Sequence, residues 1–121
     1  MNIENLKNEM TNIAVVTGDD VEIKDVQSAL DLVMTVKYET GAAKIAIDKS
    51  VICEDFFILS TGIAGEILQK FINYYVKAAI YGDFSHYTSK SLKDFIYESN
   101  NGNDFFFVST KEEAIQKLEQ A

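Results

Sequence analysis

The sequence predicts a single α/β domain with a mixed, mostly parallel sheet and helices on its faces, in the order β-β-α-β-α-β-α-β-α. Short β-branched or aromatic runs alternate with amphipathic stretches of about 10–15 residues, as in strand–helix–strand units. The run Val76–Tyr81 is almost continuously apolar, which is typical of a strand with helices over both faces. At 121 residues the chain fits one domain, 1–121.

The strands are expected where β-branched and aromatic residues cluster between turn residues. A polar lead over residues 1–12 is interpreted as irregular or as an edge element. The turn residues that begin at Gly18 favour a hairpin between the first two runs. The predicted strands are Ile13–Thr17, Val21–Ile23, Ala43–Ile47, Val76–Tyr81 and Asp104–Val108.

Each helix is expected to begin at a side chain that caps its free N–H groups. Gly41 ends the first helix and Asn100–Gly102 ends the third. Gly62 and Gly65, near the start of the second helix, suggest close approach of a neighbouring strand or a ligand. The predicted caps are Asp25, Ser60 or Thr61, Thr88 or Ser89, and Thr110. The second helix has an apolar face at a 3.6-residue period, namely Ile63, Ile67, Leu68, Phe71, Ile72 and Tyr75.

Residues 49–60 are ambiguous, because Cys53–Leu59 has the composition of a strand. Glu54 and Asp55 suit the first turn of a helix. A short helical turn is therefore preferred.

Composition excludes several classes of partner. The net charge is −8 and every basic residue is lysine, so nucleic acid and anionic membranes are not expected to bind. The apolar runs are too short to span a bilayer. With Cys53 as the single cysteine, an internal disulfide cannot form, and a cytoplasmic protein is expected.

The polar loop Gly82–Ser91 leaves the end of an apolar strand, where α/β domains usually place their binding or catalytic groups. The predicted contact surface combines the part of this loop up to Lys90 with the start of the second helix. The candidate binding residues are Asp48, Thr61, Gly62, Asp83, Phe84, Ser85, Tyr87, Thr88, Ser89 and Lys90.

The chemistry of these residues leaves alternatives open. If their strands are neighbours, Asp48 and Asp83 face one crevice near Lys90, where paired acids bind Mg²⁺ or act as acid and base. Alternatively, Asp83 caps its own loop. Cys53 and His86 lie in different loops, so a nucleophile pair is not favoured. No catalytic residue, metal site or cofactor is predicted.

The segments Glu54–Phe57, Thr61–Phe71, Gly82–Gly102 and Glu112–Ala114 carry a specific resemblance. The chain resembles, over nearly its whole length, a bacterial family known as domain of unknown function 4180. That resemblance implies no established activity.

A weaker, architectural resemblance is to STAS domains, the fold of bacterial anti-sigma-factor antagonists. It implies binding to a kinase partner and a phosphorylatable serine after the strand. Here the matching loop, Asp48–Asp55, has no DSSG-like motif, so the resemblance does not carry phosphorylation control to this chain.

The expected function is a non-enzymatic protein-interaction or regulatory module with an unidentified protein partner. Phe84 and Tyr87 are the expected surface patch, because tyrosine-rich areas with few charges suit interfaces. The β-prone run Phe105–Val108 favours self-association through a strand edge. The alternative is a small-ligand or metal-dependent enzyme using Asp48, Asp83 and Lys90.

Overall fold

A computed structural model describes residues 1–121 as one mixed sheet flanked by helices. The strand order is β1-β2-β3-β4-β5, in which β1 is antiparallel to β2 and the remaining pairs are parallel. The predicted fold class and element order are confirmed. The strands are β1 (Asn2–Lys7), β2 (Asn12–Thr17), β3 (Lys44–Asp48), β4 (Lys77–Tyr81) and β5 (Phe105–Val108). The helices are α1 (Val26–Thr40), α2 (Ile63–Asn73), α3 (Lys90–Asn100) and α4 (Lys111–Gln120).

The predicted hairpin is wrong, because β2 pairs with β1 from the polar lead and not with residues 21–23. The side chain of Asn8 accepts hydrogen bonds from the N–H groups of Met10 and Thr11, both at 2.8 Å, and so closes a tight turn between the strands. Ile23 forms only an isolated parallel bridge to Ile52. The lead is therefore an edge strand.

The helices divide between the two faces of the sheet. Connections between neighbouring parallel strands are almost always right-handed, which places α1, α2 and α3 on the same face. Their buried residues share one core with that face, whereas Ala114 and Leu118 of α4 pack on the other. The central strands present Ala46 and Ala79 to α4, and both side chains are fully buried. Small side chains here let α4 lie close to the sheet.

The helix caps largely follow the prediction. Asp25 caps α1 in a capping box with Ser28, and Ser89 caps α3 by accepting from Leu92 N at 3.2 Å. Thr110 caps α4 by accepting from Glu113 N. Each bond satisfies an N–H group that the first turn of a helix leaves free.

The start and the exposed end of α2 differ from the prediction. Its N-cap is Gly62, at φ +79° and without a side-chain cap, and Thr61 belongs to the preceding turn. Added bulk at Gly65 would meet no atom within 4 Å, so that glycine marks no close approach. Ile72 is 41% exposed and Tyr75, beyond the helix end, is 88% exposed. The apolar period therefore extends further than the buried face.

Residues 49–61 form short 3₁₀ turns, as the preference for a helical turn over a strand predicted. The turns are Lys49–Val51, Glu54–Phe57 and Leu59–Thr61. Phe56 and Phe57 are buried and anchor this turn segment (residues 49–61) on the sheet.

The outer edge of β5 is partly occupied by a side chain. The amide of Asn100 accepts from Phe107 N at 2.7 Å and donates to Phe107 O at 3.0 Å, as a neighbouring strand would. This pairing works against the self-association predicted at Phe105–Val108, because capped edge groups do not recruit another strand.

Candidate functional site

An open groove lies at the carboxyl ends of β3 and β4. The turn segment follows β3 and the loop 82–89 follows β4, and these strands are parallel neighbours. Loops after neighbouring parallel strands meet at one edge of the sheet. The groove between them has a volume of about 650 Å³. Its lining residues are Phe57, Ile58, Leu59, Ser60, His86, Tyr87, Thr88, Ser89 and Ser91.

An aromatic cluster (Phe57, Phe84, Tyr87 and Phe107) supports the groove from below. The ring of Phe57 stacks on Tyr87 with centroids 5.2 Å apart and lies 5.8 Å from the ring of Phe84. Phe84 in turn meets Phe107 edge-on at 5.7 Å. Phe84 and Tyr87 are only partly exposed. Much of the predicted aromatic surface patch is therefore packed inside the molecule.

A polar clamp (Lys49, Glu54 and Tyr87) joins the loop to the turn segment. The hydroxyl of Tyr87 donates to Glu54 Oε2 at 2.9 Å, and Lys49 Nζ lies 3.4 Å from Glu54 Oε1. The ammonium group also lies 4.9 Å from the ring centre of Phe57 and 5.1 Å from that of Tyr87. These cation–π contacts add to the pairing, so the clamp links the two walls of the groove.

The clamp shifts the titration of its members. The hydrogen bond from Tyr87 lowers the pKa of Glu54, and the charge of Lys49 acts in the same direction. Burial raises the pKa of Tyr87. Partial burial acts to lower the pKa of Lys49, but its contacts with Tyr87 and Glu54 leave that pKa above its ordinary value. At neutral pH the clamp therefore consists of an ammonium, a carboxylate and a neutral phenol.

Gly82 lets the loop leave β4 against the clamp. A Cβ at this position would lie 2.7 Å from Lys49 Cβ, closer than carbon atoms pack. The loop can therefore begin here only with glycine unless Lys49 moves.

The carboxylates predicted as a pair each bond within their own loops. Asp83 Oδ1 accepts from Ser85 N at 2.8 Å and from Ser85 Oγ at 2.6 Å. These bonds lower the pKa of Asp83. Asp48 Oδ1 accepts from Ser50 N at 2.9 Å. Both side chains thus act as caps of short turns, which is the alternative that the sequence left open for Asp83.

The remaining candidates divide between the groove and its surroundings. Lys90 Nζ pairs with Asp94 Oδ2 at 2.8 Å on the exposed side of α3, and not with Asp48 or Asp83. Thr61 Oγ1 donates to backbone carbonyls of the turn segment, with Ile58 O at 2.8 Å. Of the ten candidate binding residues, Tyr87, Thr88 and Ser89 line the groove, and the other seven do not. Those outside are Asp48, Thr61, Gly62, Asp83, Phe84, Ser85 and Lys90.

Sequence reasoning missed the wall that the turn segment supplies. Ile58, Leu59 and Ser60 line the groove opposite His86, and Ile58 is 52% exposed. The signal that was available is positional, because residues after β3 must lie beside residues after β4 in a parallel sheet. Cys53 is not among the lining residues, and its Sγ lies 3.6 Å from Lys24 O.

Comparison with known proteins identifies the family. The model of the family described as domain of unknown function (DUF4180) matches residues 8–118. The chain belongs to this family. The match includes both walls of the groove and the aromatic cluster. Searches of curated proteins and of solved structures give no match.

Every helix falls short of the length and apolar character that crossing a bilayer requires.

Proposed function

We propose that this domain is a non-catalytic, cytoplasmic protein-interaction module that holds a short segment of a partner protein in the groove. The observation that carries the proposal is the exposed Ile58 opposite a hydroxyl-rich wall, above a floor fixed by packing and by the clamp. A preformed concave surface lowers the entropy lost on binding. A groove with a packed floor and an exposed apolar residue on its rim favours the binding of a partner protein.

The chemistry of the lining suits an uncharged peptide segment with one apolar side chain. None of the lining residues is acidic, in a chain of net charge −8. Ile58 offers an apolar contact, and the hydroxyls of Ser60, Thr88 and Ser91 offer donors and acceptors for a peptide backbone. The surrounding negative charge disfavours nucleic acid and anionic lipid as partners.

A regulatory role is supported only by likeness of architecture. The mixed sheet with a first antiparallel strand is compatible with the STAS resemblance, and bacterial STAS domains act by binding protein partners. Fold-level analogy of this kind is weaker than the groove itself.

The alternative, a ligand- or metal-dependent enzyme, has less support. Asp83, Asp48 and Lys90 are engaged by Ser85, Ser50 and Asp94 respectively. An enzyme of this kind would show a melting temperature that rises with Mg²⁺ or phosphate and no longer does so in Asp83→Asn.

The test compares two isoleucines of similar exposure. Ile58 lies in the groove at 52% exposure, and Ile72 lies on α2 at 41%. Affinity capture from a bacterial lysate is run with the native domain, with Ile58→Lys and with Ile72→Lys, after melting curves have shown that all are folded.

A protein retained by the native domain and by Ile72→Lys, but lost by Ile58→Lys, would support the proposal. Retention of every captured protein by Ile58→Lys, or recovery of nothing specific by the native domain, would contradict it.

A further inference from the structure

The outer edge of β1 presents unpaired backbone groups in a regular row. Asn8 N donates to Thr11 O at 2.9 Å where the β1–β2 ladder closes. Hydrogen-bonded pairs alternate along an antiparallel ladder, so Ile3, Asn5 and Lys7 direct their N–H and C=O groups away from β2. These are the groups with which another strand pairs.

The opposite edge of the sheet is treated differently. On β5, the side-chain amide of Asn100 bonds both backbone groups of Phe107. No side chain bonds the outward groups of β1, although the strand spans residues 2–7. The edge whose outward backbone groups are all without a side-chain partner is therefore β1.

We propose that β1 pairs antiparallel with β1 of a second copy of this chain, around a two-fold axis that passes midway between the two Asn5 residues. A two-fold axis normal to the sheet joins like faces, so one residue of the strand must lie directly opposite the same residue of the second copy. With the axis at Asn5, Ile3 lies opposite Lys7 of the second copy. Every outward N–H and C=O of the two strands then finds a partner, and the two five-stranded sheets become continuous.

Charge disfavours the neighbouring register that is centred on Glu4. Moving the axis to Glu4 would set two glutamates directly opposite each other, which destabilises a strand pair. With the axis at Asn5, the residue opposite Glu4 is Leu6. No like charges then meet directly across the interface.

A groove beside β1 fits the incoming strand. It has a volume of about 510 Å³ and lies between Ile3 and Asn5 of the strand and Thr35, Glu39 and Thr40 at the end of α1. Ile3 packs on the same core as α1, so a residue placed opposite Ile3 points to this side of the sheet. That residue is Lys7 of the second copy, and its ammonium group complements Glu39.

The test is sedimentation of the full chain over concentrations from ~1 µM to ~1 mM, because an interface built on one strand pair is small and transient. Native protein is compared with Lys7→Pro and Lys7→Gln. Proline removes an outward N–H without touching the β1–β2 ladder, and each dimer loses two such bonds. We expect dimerisation to weaken about 30-fold in Lys7→Pro. In Lys7→Gln, which keeps the N–H, we expect a change of less than about threefold.

Amide hydrogen exchange of the native chain tests the register independently of any variant. Exchange at Ile3, Asn5 and Lys7 should slow as concentration rises, whereas Glu4 and Leu6, already bonded to β2, should change little. A chain that stays monomeric throughout the series overturns the proposal. So does a dimer that Lys7→Pro leaves intact, or protection that appears elsewhere than at these amides.

Discussion

Phe57 and Ile58 are consecutive in the chain and take opposite positions in the groove. Phe57 is 3% exposed and its ring stacks within the aromatic cluster, whereas Ile58 is 52% exposed on the rim. Burying a large apolar side chain contributes to folding, and an exposed one contributes little. Composition alone does not separate the two residues, so the turn that follows β3 decides which supports the fold and which is available for binding.

The largest effect on stability should come from a substitution in the aromatic cluster. Phe57→Ala removes a buried ring that contacts Phe84, Tyr87 and Lys49. We expect a loss of about 3–5 kcal/mol in the free energy of unfolding, measured by urea denaturation. Phe57→Leu, which keeps most of the volume, should lose clearly less. A loss below about 1 kcal/mol in Phe57→Ala would mean that the cluster does not support the groove.

The next effect should come from the start of the loop. Gly82→Ala forces a Cβ to 2.7 Å from Lys49 Cβ, so either the strand end or the clamp must shift. Overpacking of this kind costs about 1–3 kcal/mol. Gly65→Ala is the matched control, because its new Cβ meets open space and alanine favours a helix by about 1 kcal/mol. The two glycines should therefore change the urea midpoint in opposite directions, and a shared direction would contradict this account.

A smaller, pH-dependent effect should come from the clamp. Tyr87→Phe removes the hydrogen bond to Glu54, worth about 0.5–1.5 kcal/mol, and the low end is expected because Glu54 is 69% exposed. The pKa of Glu54 is lowered in the folded state. The stability that Glu54 contributes is therefore fully present at pH values above its ordinary pKa of 4.5. It is lost as the pH falls below that value and through the lowered pKa of the folded state.

Urea unfolding at neutral pH and at progressively lower pH measures this difference. The difference in unfolding free energy between native protein and Tyr87→Phe should become smaller as the solution becomes acidic. A difference in unfolding free energy that stays constant with pH would mean that Glu54 is not part of the clamp.

The smallest effect on stability should come from the rim. Ile58→Ser changes a half-exposed side chain outside the aromatic cluster, so the unfolding free energy should stay within about 0.5 kcal/mol of the native value. Urea unfolding checks this directly. A loss as large as that of Phe57→Ala would mean that rim and cluster are one structural unit, and the comparison would fail.

The sequence predicts most of the sheet and the helices because their apolar periods are local signals. It leaves β1 open between an irregular lead and an edge element, because the partly buried residues Ile3 and Leu6 do not alternate as strand residues usually do. The turn that pairs this strand depends on the side chain of Asn8. The predicted cap of α2 is wrong, because the hydroxyl of Thr61 donates to backbone carbonyls of the preceding turn.

The sequence locates the loop after β4 but predicts the roles of its residues only in part. Phe84 and Tyr87 are aromatic residues in a polar loop, and they predict a surface patch. Their rings instead pack against Phe57 and Phe107, which lie far from them in the chain. Such packing is a tertiary property that local patterns do not contain. The wall formed by Ile58 and Ser60 was missed for the same reason.

The measurement that tests the central claim most directly is amide-shift mapping of the labelled domain during titration with the partner that Ile58→Lys fails to capture. The account predicts changes confined to residues 57–60 and 86–91, on the two walls of the groove. Changes confined to α4 or to β1, with the groove unaffected, would contradict it.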